Sequence, residues 1–103
     1  MELDAGERLV LLHILPKEGD LTTLRIVRDL QAALSFTEEE HKLYDFRMVD
    51  GNTHWSNPEV KVEVPIGKKA MEIIRAAIKD LDAKKKLNLA FLPVCERFLE
   101  DEE

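Results

Sequence analysis

Residues 44–66 read YDFRMVDGNTHWSNPEVKVEVPI, and this stretch decides the fold. It is the one part of the chain with β pattern, and helical pattern flanks it on both sides. Residues 46–49, the pair Asp50 and Gly51, and residues 52–55 form a two-residue hairpin signal. Glycine takes positive φ at the second turn position without steric cost, and aspartate tolerates it at the first. Val60, Val62, Val64 and Ile66 then alternate with Lys61 and Glu63, which predicts a third strand with one buried face. Pro58 and Pro65 bound that strand, since neither can donate to a ladder. The expectation is a small antiparallel hairpin or meander over about 46–66.

Three helices precede it. Asp4 and Glu7 have capping-box spacing, and the apolar run from Arg8 to Leu15 follows, a short helix buried nearly all round. Pro16 stops it. Asp20 or Thr22 caps a second helix reaching about Ser35, with Leu24, Val27, Leu30 and Leu34 as its apolar stripe. Arg25 and Arg28 lie on its other face, with Asp29 as a local partner. Thr37 and Glu40 form a second box, and Glu38, Glu39 and Glu40 suit the positive end of the helix dipole. His41 and Asp45 have metal-pair spacing but no third ligand.

Two helices follow the strands. The longest spans about 67–86, with Met71, Ile74, Ile78 and Leu81 as a seam. Lys84, Lys85 and Lys86 complement the dipole at its C-terminal end, whereas Lys68 and Lys69 oppose it at the start. Helix-start N–H groups beside two lysines suit an anion. The closing stretch 88–99 holds the last helix, with Pro93 either kinking it or lying in its first turn. An acidic tail closes the chain. The fold class expected is therefore α+β: one mostly helical domain over 1–103, with helix–helix–helix–hairpin order like that of a winged helix.

Composition bounds the function. The 103 residues carry a net charge of −6, with 45% hydrophobic and 35% charged residues. A chain of this size buries roughly 65% of its extended surface, enough for a modest core without staples. The net charge argues against nucleic acid as a partner. No apolar run approaches the ~20 residues of a membrane span, the N-terminus lacks signal-peptide character, and one cysteine forms no internal disulfide. A cytoplasmic location follows. Residues 67–87 carry +4 and residues 88–103 carry −4, which suits internal charge balance or self-association.

No phosphate loop, nucleophile elbow, zinc-protease or paired-cysteine motif is present. Cys95 lies among apolar neighbours, a packing position. No catalytic residue, metal or cofactor is expected. What remains is binding: Tyr44, Arg47, His54 and Trp55 bring rings and a planar cation together in sequence. Trp55 comes opposite Phe46 and roofs the core. Arg47 pairs with His54 on the other face. With Lys68 and Lys69, these are the candidate ligand-binding residues.

The stretches ERLVLLHILPKEGD, LTTLRIVRDL, LSFTEEEHKLYDF and IGKKAMEIIRAAIKDLD resemble small uncharacterised bacteriophage and prophage proteins. The resemblance spans most of the chain and implies an accessory protein acting stoichiometrically on a host factor. Such a protein would capture a host protein or sequester an anionic small molecule such as a signalling nucleotide in counter-defence, as a homo-oligomer. The alternatives are a winged-helix DNA-binding regulator and a small Cys/His enzyme. In the first, the helix at 37–45 would enter the major groove, where its glutamates would face phosphates. The second depends on an exposed, reactive Cys95.

Overall fold

A computed structural model describes residues 1–100; the expected acidic tail beyond Glu100 lies outside them. The chain runs β1 (Glu2–Asp4), α1 (Ala5–Ile14), α2 (Leu21–Leu34), α3 (Glu38–Tyr44), β2 (Arg47–Val49), β3 (Asn52–His54), β4 (Lys61–Glu63), α4 (Lys68–Ala83) and α5 (Leu92–Glu100). This is a small α+β domain, as the pattern predicted. Both capping boxes close: Asp4 accepts from the Glu7 N–H at 2.8 Å, and Thr37 accepts from the Glu40 N–H at 3.1 Å. Asp20, rather than Thr22, caps α2 by accepting from the Thr23 N–H at 2.7 Å. Pro93 occupies the first turn of α5 and leaves the helix unbroken.

One strand pairing differs from the expected meander. β4 does not join the hairpin; it pairs antiparallel with β1, with Leu3 opposite Val62. The hairpin therefore forms a separate two-stranded sheet. Leu3 explains the exchange. Fully buried with Val64, it draws the first strand down onto the core beside the fourth.

The core lies where α1, α2, α4 and α5 meet, around Leu11, Leu34, Ile74, Ile78 and Phe98. The α4 seam lies inside the molecule, with Ile74 and Ile78 fully buried and Met71 and Leu81 packed at the core's edge. α4 ends three residues before its predicted limit. Lys85 takes φ 56°, its N–H donates to the Asp82 carbonyl at 3.0 Å, and the Lys86 N–H donates to the Leu81 carbonyl at 2.9 Å. Those two bonds are the Schellman closure of a helix, made here with lysine at a position that favours glycine.

α1 holds one residue that the apolar pattern concealed. Arg8 is only 2% exposed, on the same stripe as Ala5, Leu11 and Ile14. Its Nε donates to the Leu34 carbonyl at 3.1 Å and its Nη2 to the Ser35 carbonyl at 2.7 Å. Both terminal nitrogens reach the Glu40 carboxylate, and the guanidinium lies 4.0 Å from the Phe36 ring centroid. One side chain thus satisfies two carbonyls at the end of α2 and fixes the first turn of α3. Burying the charge is tolerable because each of its faces has a partner.

Candidate functional site

The hairpin stands on a cluster of rings. Phe46 lies 4.9 Å from Phe36, 5.5 Å from Tyr44 and 6.2 Å from Trp55, measured between centroids. Phe46 and Trp55 leave the two ends of the hairpin, so its base is clamped by aromatic packing. The Ser56 N–H donates to the Tyr44 carbonyl at 2.6 Å, and the Asn57 amide donates to the Leu43 carbonyl at 2.8 Å. These contacts tie the strand ends back to α3.

Beyond that base the hairpin projects into solvent. Its turn is the expected one, with φ 51° at Asp50 and 80° at Gly51, values that match the twist of a two-residue hairpin. All six strand residues are exposed. Met48 is 70% exposed and Val49 48%, while the Thr53 hydroxyl donates to the Met48 sulfur at 3.2 Å. Arg47 is opposite His54, as the register predicted, and its guanidinium comes within 3.8 Å of the Asp45 carboxylate.

The other candidates fall elsewhere. Tyr44 is fully buried, so it offers no face to a ligand. Among the described residues its hydroxyl is buried without a hydrogen-bond partner. Trp55 is half-buried, and its indole nitrogen is likewise enclosed and unpartnered. The Trp55 ring lies so close to α1 that a Cβ on Gly6 would come within 3.2 Å of it. Lys68 and Lys69 are exposed at a helix start that Gly67 leaves without a side-chain cap, and Lys69 lies 3.7 Å from Glu72.

A cleft of about 410 Å³ runs beneath the hairpin, bounded by Gly6, Val10 and His13 of α1, by Thr53 and Trp55, and by Pro93 and Val94 of α5. A second, of about 250 Å³, adjoins the start of α4 through Pro65, Gly67 and Ala70. Arg47, His54, Lys68 and Lys69 line neither. Cys95 is 3% exposed. Burial first, and the Asp82 carboxylate second, push its thiol above the ordinary cysteine value, the opposite of what a nucleophile needs. Among the described residues no three His, Cys, Asp or Glu side chains form a metal-sized group, and no helix is long and apolar enough to cross a membrane.

Sequence reasoning foresaw the hairpin, its turn and the Arg47–His54 pair. It did not foresee that Met48 and Val49 stand exposed: once Phe46 and Trp55 serve the base, a three-residue strand has no core left to face. Comparison of the chain with protein-family models, curated proteins and solved structures found no match.

Two substitutions test this geometry. Gly51→Ala places a side chain at φ 80° with nothing within 4 Å of it, so its cost is backbone strain alone, on the order of 1 kcal/mol. Amides of residues 47–54 should exchange faster, and the melting temperature should fall by no more than roughly 4–8 °C. Tyr44→Phe removes an enclosed, unpartnered hydroxyl and should stabilise the fold by about 1 kcal/mol. A thermal melt would then rise by roughly 4–8 °C.

Proposed function

We propose that this chain is a non-catalytic binding protein of phage type that captures a host protein through the Arg47–His54 hairpin. The observation that carries the reading is the hairpin itself, firmly rooted yet packed against nothing at its tip. A lone two-stranded hairpin with both faces in water is marginal, and exposing methionine and valine together brings no folding gain. A partner gives both a use: methionine adapts to an irregular surface, and arginine is enriched at interface cores. Among the described residues each strand also keeps an outer edge free of a paired neighbour, open to strand addition.

The cross-strand Arg47 and His54 favour a second ligand class, an anionic small molecule such as a signalling nucleotide. DNA binding is disfavoured by α3, whose first turn holds Glu38, Glu39 and Glu40. The likeness to small phage and prophage proteins supports a target in an infected host cell.

Tagged protein recovered from the producing cell, examined by native mass spectrometry, tests the reading. Wild type should carry a stoichiometric protein that Met48→Asp with Val49→Asp releases, with the thermal melt unchanged. A bound nucleotide lost on Arg47→Ala with His54→Ala would transfer the function to the anionic ligand. Capture that survives the Met48 and Val49 substitutions would refute the hairpin as the contact.

A further inference from the structure

The corner between α4 and α5 carries a second surface, remote in sequence from the hairpin and independent of the reading above. The two helices leave a groove of about 430 Å³ with Ile78, Leu87, Leu92 and Leu99 among its walls. Three carboxylates, Asp82, Glu96 and Glu100, stand along it with one cation, Lys79. In the segment joining the two helices Leu89 is 83% exposed, and the groove residue Leu92 is 45% exposed. Lys85 and Lys86 lie between the groove residues Asp82 and Leu87, both exposed, where the lysine-made helix closure turns the chain.

The groove and the segment that joins its two helices thus offer an apolar slot, a projecting leucine, a basic pair and a mainly acidic rim. Those are the four parts of a self-complementary contact, in which a two-fold axis brings each feature onto its counterpart. We propose that this face binds a second copy of the chain, with Leu89 of each copy entering the groove of the other. Lys85 and Lys86 of one copy then lie over Glu96 and Glu100 of the other. The mixed signs distinguish this surface from a site for a uniformly charged peptide, which would leave either the lysines or the glutamates against like charge.

Sedimentation equilibrium of the full chain tests the pairing. Wild type should show a reversible monomer–dimer equilibrium, and Leu89→Asp should weaken it by at least about tenfold. Because Leu89 is almost wholly exposed, its variant should melt like wild type at concentrations where both are monomeric. A charge swap separates a specific contact from loose association. Lys85→Glu with Lys86→Glu, and Glu96→Lys with Glu100→Lys, should each be monomeric alone, and mixing the two should restore a heterodimer. Wild type that stays monomeric throughout, dimerisation indifferent to Leu89→Asp, or a mixture that fails to associate would each overturn the proposal.

Discussion

Replacing Arg8 with methionine is expected to destabilise the fold by about 3 kcal/mol, the lower end of the range for removing one partner of a buried ion pair. The lower end applies because Glu40 retains 18% of its side-chain exposure. In a domain of this size that lowers the melting temperature by roughly 12–24 °C. The loss has two parts: the Leu34 and Ser35 carbonyls lose their donor, and the Glu40 carboxylate is left half-buried with the Thr37 N–H. Hydrogen bonds from Arg8, ahead of the Thr37 backbone, hold the Glu40 carboxyl below the ordinary glutamate value. Its contribution is therefore complete above that ordinary value and disappears as pH falls through the depressed folded one. Wild type should lose stability on acidification through that window, and Arg8→Met should lose less. Melts of both proteins across the acid range check the magnitude and the sign together.

Phe98→Ala should cost at least as much, about 4 kcal/mol, because the ring is fully buried where α5 meets the core and its removal leaves a cavity that rigid helices do not collapse. Domains hold only about 5–15 kcal/mol in all, so the variant should show a much lower denaturant midpoint with an unchanged slope. Its effect is instructive beside that of Met48→Asp. Both side chains are large and apolar, yet the second should leave the midpoint in place, because Met48 contributes nothing to the core.

The parts of this fold legible in the sequence are those whose cause is local. The Asp4–Glu7 and Thr37–Glu40 boxes, the Asp50–Gly51 turn and the α2 stripe each depend on residues within a few positions of one another. What escaped depends on partners far along the chain. β1 has three residues, too few to show a period, and its pairing is specified only by β4. Arg8 lay inside an apolar run, and its acceptor Glu40 already had a sufficient local role as a cap, so nothing pointed from one to the other.

The candidate site divides the same way. Arg47 and His54 follow from hairpin register, which the turn fixes. Tyr44 and Trp55 do not, because aromatic residues next to a hairpin can serve either a ligand or the base beneath it. Here Phe36, distant in sequence from the strands, draws Tyr44 and Phe46 inward. Met48 and Val49 are the apolar residues left exposed at the tip.

The most direct test is site-specific photo-cross-linking in the producing cell, with the reactive group placed in turn at position 48 and at position 68. The expected result is a discrete protein adduct from position 48 and none from position 68. An adduct from position 68 alone, or none from position 48, would contradict the hairpin as the surface through which this protein acts.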